Sequence, residues 1–230
     1  GVPPPAPPEA FISWSLSNRM LDYIPGTTFA YSNFGYCVLG EVIEKVSGQS
    51  YEDYVRDSIL RPLNICDMQV GKNLKDDILP DEVTYYDYPG AALVSSIYDN
   101  TTLVPFQYGR TNIEQIKSAG GWVASAEDLC KLLVSIDHFT SKPDFLLPAT
   151  IDTMIMPAST SPNYAKGWVV SGNDYWHTGG LSGSGSQFYR NGNFQVNWAI
   201  VLNSLPQNNA PLYADLNNLV NNALPGISVW

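Results

Sequence analysis

Two short groups of residues in this sequence carry side chains that could move protons or hold a polar ligand. Tyr31 and Asn33 lie where an extended piece runs into a predicted helix, so their polar groups can face a cleft while the helix packs in a core. His177 lies on a predicted strand, directly before the Thr-Gly-Gly run at 178–180. Each group also has a plainer explanation, since Tyr31 can simply pack, Asn33 can simply cap the helix, and His177 can be an ordinary strand histidine.

The elements that must position these residues are helices first and strands last. A Pro-Gly turn at 25–26 leads into a helix that Ser32 or Asn33 caps and that Gly48 ends. Ser50 and Ser125, each followed by Asp three residues later, predict the starts of two further helices. The other predicted elements are a weak helix over 8–21, an irregular stretch over 63–117, a helix from Pro148, strands over 167–170, 175–178, 184–190 and 194–203, a tight hairpin turn at Asn191-Gly192, and a helix over 211–224. This order predicts an α+β fold.

The composition is that of a compact, acidic protein, with 44% hydrophobic residues and a net charge of −10. Only 12 residues are Lys or Arg, which argues against nucleic acid as a partner. No apolar run approaches the length of a membrane span. With two histidines far apart and no Cys-x-x-Cys spacing, we expect no metal site and no cofactor, and Cys37, Cys66 and Cys130 give no sign of a catalytic role. Few lysines and many Asn, Ser and Tyr suggest a secreted or periplasmic protein.

Several segments together resemble the serine β-lactamase and penicillin-binding-protein superfamily, closest to the class C β-lactamase branch with its esterase and peptidase relatives. The run PGTTFAYSNFGYCVLGEVIEKVSGQSYEDYVRDSILRPL over 25–63 resembles the Tyr-x-Asn region, and YWHTGG over 175–180 resembles the Lys-Thr-Gly strand with His177 in the lysine position. The segments 118–129 and 166–168 agree in order and spacing, so the resemblance runs from about residue 23 to residue 224.

The resemblance implies a fold in which an antiparallel sheet is flanked by helices, with a helical lobe beside it. The whole chain, 1–230, would be a single β-lactamase-like domain. Within it, 1–22 would form an extended entry and a weak helix, 23–165 a mainly helical lobe, and 166–230 the antiparallel strands and the C-terminal helix.

The resemblance also implies roles for the residues that match its motifs. Tyr31 would share the proton of the nucleophile and pass it to the leaving group, which requires a lowered phenol pKa that a neighbouring cation could supply. Asn33 would bind the carbonyl side of the substrate or hold the catalytic lysine. The Gly180 N–H would donate to the oxyanion, and Thr178 and Gly179 would line the substrate site.

The histidine that replaces the family's lysine carries a charge only in part near its pKa of about 6.5. A lysine at this position suits a substrate carboxylate at any pH near neutrality, whereas His177 does not. The replacement therefore disfavours penicillin-type substrates and favours ester or peptide-like amide substrates.

The Ser-x-x-Lys motif of the superfamily is missing, because no serine in the sequence is followed by lysine three residues later. We therefore expect the nucleophile helix and the strands beside it to lie outside this chain. A complementary N-terminal fragment could supply them, the chain could be a cleavage product or a partial sequence, or an altered fold could fill the gap. Without that segment the C-terminal antiparallel strands would keep an unpaired edge and an uncovered apolar face, and the isolated chain would be inactive.

Three hypotheses about function follow. The first is a serine hydrolase that cleaves ester or amide bonds of a small or peptide-like substrate through an acyl-enzyme, with Ser and Lys supplied from outside the chain. The second is a non-catalytic ligand-binding or interaction protein that lost the nucleophile. In the third, Ser182, Ser184 or Ser186 replaces the nucleophile near His177.

Overall fold

The structure is a computed structural model and describes residues 4–227. The helices are α1 (Pro8–Asn18), α2 (Asn33–Ser47), α3 (Tyr51–Val55), α4 (Lys117–Gly120), α5 (Ala126–Val134), α6 (Pro148–Ile155) and α7 (Ala210–Ala223). The strands are β1 (Gln69–Val70), β2 (Val94–Ser95), β3 (Leu103–Val104), β4 (Trp122–Val123), β5 (Val169–Ser171), β6 (Asp174–Leu181), β7 (Ser184–Asn191) and β8 (Val196–Leu202). The mixture of helices and an antiparallel sheet confirms the predicted α+β class.

The main sheet is four-stranded and antiparallel, in the order β5-β6-β7-β8. Opposite residues share a face, so the aligned row His177, Phe188 and Ala199 lies on one face, called here the site face. The aligned row Trp176, Tyr189 and Trp198 lies on the other, called the closed face. Strand β5 pairs only with Asp174–Trp176, so from His177 onward β6 has strand β7 as its only strand neighbour within residues 4–227.

Each face of the sheet is covered by different helices. At the β5 end of the site face, Leu133 of α5 and Ile151 of α6 pack with Trp168 and Tyr175 in one buried cluster. On the closed face, helix α7 contributes Tyr213, whose hydroxyl donates to the Gly179 carbonyl at 2.5 Å. The sheet is therefore anchored on both faces, and the end of β6 beyond Trp176 remains free to line a groove.

Helix α2 begins and ends as its sequence predicts. Ser32 is the N-cap, and its Oγ accepts the Gly35 N–H at 3.0 Å, while Gly48 adopts the left-handed conformation with φ of 72°. The alternative cap, Asn33, is instead the first helical residue. Ser50 and Ser125 also cap their helices as predicted, each accepting the N–H of the aspartate three residues later.

Two local predictions were wrong. Asn191-Gly192 does not form a two-residue turn, because Asn191 Oδ1 accepts the N–H groups of Asn193 and Phe194, and the chain reverses over four residues before β8. The irregular stretch over 63–117 contains the short strands β1, β2 and β3, and β1 pairs with β4 far along the chain. Such distant pairing leaves no local signal in so short a strand.

Candidate active site

The structure brings Tyr31 and His177 together, although 145 residues lie between them in the chain. Their ring centroids lie 6.2 Å apart with an interplanar angle of 33°. Tyr31 lies at the end of the loop before α2 and is 53% exposed. His177 is the first residue of β6 after the part of that strand that pairs with β5. A phenol from the helical part of the chain and an imidazole from the sheet therefore lie side by side at this point of β6.

A second tyrosine, Tyr164, lies between these two residues. Its hydroxyl is 3.0 Å from Nε2 of His177, and its ring contacts the ring of Tyr31 edge-to-face, with 5.8 Å between centroids. Tyr164 is not among the site residues predicted from the sequence, in which the neighbouring segment 166–168 contributes only to the family resemblance. No spacing in the sequence marks Tyr164, because its contact with His177 depends on the chain reversal at Gly167, where φ is 87°.

The hydrogen bonds of His177 fix its tautomer. Nδ1 lies 2.7 Å from the Thr178 carbonyl, which can only accept, so Nδ1 carries the proton. Neutral Nε2 then accepts from the Tyr164 hydroxyl. Burial lowers the pKa of His177 below its usual range, partly offset by the bond to Thr178, so the ring is neutral at pH 7.

The environment of Tyr31 does not lower its pKa. Burial, followed by the nearby Tyr36 phenol, raises the pKa of Tyr31 above its usual range. The rings packed against Tyr31 are those of Tyr164 and His177, and neither is a cation at neutral pH. The expectation of a lowered phenol pKa is therefore wrong for this chain alone, because no positive charge of the chain contacts the phenol among the contacts described.

The other predicted site residues lie near this pair but face different ways. Asn33 is exposed at the start of α2. Thr178 alternates to the closed face, so its carbonyl, not its side chain, holds His177. A Cβ on Gly179 would lie 2.5 Å from Ser186 Oγ, and one on Gly180 would lie 3.2 Å from the Tyr213 hydroxyl. A larger side chain at either glycine would crowd Ser186 or Tyr213, and the ligand contacts given to Asn33, Thr178, Gly179 and Gly180 stay predictions.

A groove of about 900 Å³ extends from this end of β6 across the molecule. Gly179–Leu181 and Ser184–Ser186 form its sheet side, while Asp128 and Leu129 of α5 and the segment Leu79–Val83 form other walls. Its size is within the usual range for a ligand site. The groove therefore leaves room for a large ligand or a further protein segment beside the free edge of β6.

Ser182, Ser184 and Ser186 line this groove, but His177 has no free nitrogen to serve them as a base. One ring nitrogen donates to the Thr178 carbonyl and the other accepts from Tyr164. Within residues 4–227, none of the three serine side chains makes a hydrogen bond. The geometry gives no support to a nucleophile among these serines.

An acidic cluster away from this site is paired with a lysine. The carboxylates of Glu9, Glu41 and Glu44 lie within 4.8 Å of one another, but Lys117 Nζ binds Glu44 at 2.6 Å and lies 3.8 Å from Glu41. This is an ion-pair cluster between α2 and α4.

Over the described range, none of the helices combines the length and the apolar character needed to cross a membrane.

The fold and the site define a protein of the β-lactamase and transpeptidase-like class, in which a helical lobe and an antiparallel sheet border one groove. The sequence model described as Beta-lactamase matches residues 2–221, so the chain belongs to the beta-lactamase family, whose members are serine hydrolases. This confirms the superfamily and the fold class that the motifs indicated.

Individual relatives agree with the family assignment. A penicillin-binding protein of Bacillus subtilis is 26% identical over 179 residues, which cover 72% of this chain and 38% of the relative. The solved octameric penicillin-binding protein homologue from Pyrococcus abyssi is 26% identical with a TM-score of 0.63, covering 87% of this chain and 44% of the other. The D-amino acid amidase from Ochrobactrum anthropi SV3, solved with D-phenylalanine, shares the fold at 21% identity and a TM-score of 0.65, covering 96% and 69%.

The chain spans between about a quarter and two fifths of the length of the curated relatives it matches, for example 27% and 38% of two of them. What those whole proteins do therefore does not transfer to this chain directly.

Proposed function

We propose that this chain is part of a serine hydrolase that cleaves ester or peptide-like amide bonds of uncharged substrates through an acyl-enzyme. The observation that carries the proposal is the pairing of Tyr31 with His177, 6.2 Å between ring centroids, beside the free edge of β6. In this proposal Tyr31 moves the proton of the nucleophile, Asn33 contacts the substrate or the lysine, and the Gly180 N–H donates to the oxyanion.

The preference for an uncharged substrate rests on the state of His177. The ring is buried and neutral, and both of its nitrogens are engaged. A neutral imidazole offers no charge to a substrate carboxylate, whereas a lysine in that position would. Ester and amide substrates without a carboxylate at this point fit such a cleft better than penicillins.

The nucleophilic Ser and its Lys would come from a segment outside these 230 residues. The groove of about 900 Å³ supports this proposal, because it lies between α5 and the sheet, next to Gly179 and Gly180. In this proposal a lysine ammonium placed beside Tyr31 would lower the phenol pKa, which burial raises in this chain.

A fluorophosphonate probe with mass spectrometry on natively purified protein tests the proposal. The 230-residue chain alone should remain unlabelled and should not hydrolyse p-nitrophenyl esters above background. A protein that also carries the Ser-x-x-Lys segment should be labelled once, on that serine. Labelling of Ser184, or loss of labelling in Ser184→Ala, would overturn the proposal in favour of a nucleophile within this chain.

A non-catalytic ligand-binding or interaction protein is the second candidate. The observation that favours it is that neither titratable group of the pair is poised for proton transfer, since the pKa of Tyr31 is raised and that of His177 is lowered by burial. Natively purified protein that stays unlabelled throughout, yet binds an uncharged amide in calorimetry, would favour this candidate.

A further inference from the structure

Tyr164 is held far more firmly than the tyrosine it contacts. Its N–H donates to Ser161 Oγ at 3.2 Å, its carbonyl accepts from the Ala158 N–H at 3.1 Å, and it forms a bridge to Val169 across the reversal at Gly167. In contrast, every residue from 16 to 33 is exposed, so the loop that carries Tyr31 has little packing of its own.

The side chain of Tyr164 contacts both halves of the candidate site. Its ring packs against Phe29 and Tyr31 of the exposed loop, with centroid separations of 5.2 and 5.8 Å. Its hydroxyl, at the other end of the side chain, donates to Nε2 of His177 at 3.0 Å. One firmly held side chain therefore joins a weakly packed loop to the central sheet.

We propose that Tyr164 is a positioning residue with two separable contributions. Its ring packs against Tyr31 and holds it beside the sheet. Its hydroxyl donates a hydrogen bond to Nε2, the unprotonated ring nitrogen of His177. The second contribution keeps that nitrogen from binding substrate or accepting a proton from a serine. Any effect on turnover rests on the function proposed above, but the positioning itself does not.

Two substitutions separate the contributions. Tyr164→Phe keeps the ring and removes the hydroxyl, whereas Tyr164→Leu removes both the aromatic ring and the hydroxyl. Tyr189→Phe is the matched control, because it also removes a tyrosine hydroxyl that donates a hydrogen bond, here to Asp174 at 2.8 Å. Tyr189 lies on the closed face, away from His177. Circular dichroism checks that each variant is folded.

The readout is NMR of the protein labelled with ¹⁵N at histidine. The chain has two histidines, and His138→Gln assigns the pair of ring nitrogens that belongs to His177. At neutral pH the wild-type chain should show a protonated Nδ1 and a hydrogen-bonded, unprotonated Nε2. In Tyr164→Phe the Nε2 resonance should move to the position of an unbonded nitrogen, with Nδ1 still protonated, while Tyr189→Phe changes neither.

The ring contribution is read from nuclear Overhauser contacts between Tyr31 and His177. They should persist in Tyr164→Phe and disappear in Tyr164→Leu. A proton on Nε2 in the wild-type chain, an unchanged Nε2 in Tyr164→Phe, or contacts that survive in Tyr164→Leu would each overturn the positioning role.

Turnover in the protein that carries the Ser-x-x-Lys segment separates this inference from the proposed function. We expect Tyr164→Leu to lower turnover by about 10²-fold, as a displaced catalytic group does, and Tyr164→Phe to lower it less. If the spectra change as expected and turnover does not, the positioning role stands and the catalytic use of Tyr31 is overturned.

Discussion

The aromatic side chains at the two faces of the central sheet differ in how far they are exposed to solvent. On the closed face, Trp176, Tyr189 and Trp198 stack in a row with ring centroids 5.0 and 5.2 Å apart, and Tyr189 and Trp198 are only 4% and 8% exposed. On the site face, Tyr31 remains 53% exposed beside His177. Because side chains alternate along a strand, β6 contributes Trp176 to one face and His177 to the other. Substitutions on the two faces should therefore separate stability from function.

The largest effect is expected on the closed face. Trp198→Ala removes a buried, stacked ring and should lower the free energy of unfolding by about 3–5 kcal/mol, as measured by chemical denaturation. Val201→Ala is the control, because Val201 lies on the same strand, faces the other way and is 43% exposed. Equal losses in the two variants would show that the faces do not differ as described.

A loss of activity without a loss of stability is expected on the site face. Tyr31→Phe, made in the protein that carries the Ser-x-x-Lys segment, should lower turnover by about 10²-fold or more, since a proton-transfer group is lost. The unfolding midpoint should hardly move, because Tyr31 is exposed. Tyr23→Phe, in the same exposed loop, should leave turnover unchanged. Unchanged turnover in Tyr31→Phe would remove this residue from the mechanism.

A smaller effect is expected at the helix that packs on the site face. Ser125 Oγ accepts the Asp128 N–H at 3.0 Å and donates to its carboxylate at 2.9 Å. Ser125→Ala should lower the free energy of unfolding by about 1 kcal/mol, whereas Ser125→Gly should cost only a few tenths. Thermal unfolding of the two variants in parallel measures the difference, and a loss as large as that of Trp198→Ala would contradict this ranking.

The smallest effect is a pH dependence from His177. Burial lowers its pKa in the folded chain, so the unfolded chain, with a histidine pKa of about 6.5, takes up a proton first as the pH falls. Stability from this source is therefore complete above that unfolded pKa and is lost as the pH falls below it.

Unfolding measured at pH 7.5 and pH 5.5 should show a smaller acid-induced loss in His177→Gln than in the wild-type chain. His138→Gln should retain the His177 contribution. An acid-induced loss in His177→Gln identical to that of the wild-type chain would mean that the imidazole is not buried in its neutral form.

The sequence predicted the parts of the fold that local chemistry decides. Ser32, Ser50 and Ser125 cap helices because the side chain and its N–H partner are three residues apart. The turn after Asn191 was predicted wrongly because the Asn191 side chain accepts hydrogen bonds from the N–H groups of Asn193 and Phe194. These bonds are also local, but the residue pair Asn-Gly alone does not distinguish the longer turn that they form from a two-residue turn.

The site was predictable only through its motifs. Tyr31 and His177 were found by resemblance, but their contact and its consequences come from tertiary packing. Tyr164 was missed because its bond to His177 depends on the chain reversal at Gly167, not on any spacing that tyrosine and histidine share. The lowered pKa that the predicted role of Tyr31 requires does not arise from this chain's own contacts, because burial raises that pKa and the rings packed against the phenol carry no positive charge.

The contact between the two rings is the central claim, and nuclear Overhauser spectroscopy tests it most directly. With only two histidines in the chain, the ring protons of His177 can be assigned by comparison with His138→Gln. Cross-peaks between the Tyr31 and His177 rings, absent in Tyr31→Leu, are the predicted result. Cross-peaks from His177 to Tyr164 without any to Tyr31 would contradict the account, because the phenol would then not pack against the imidazole.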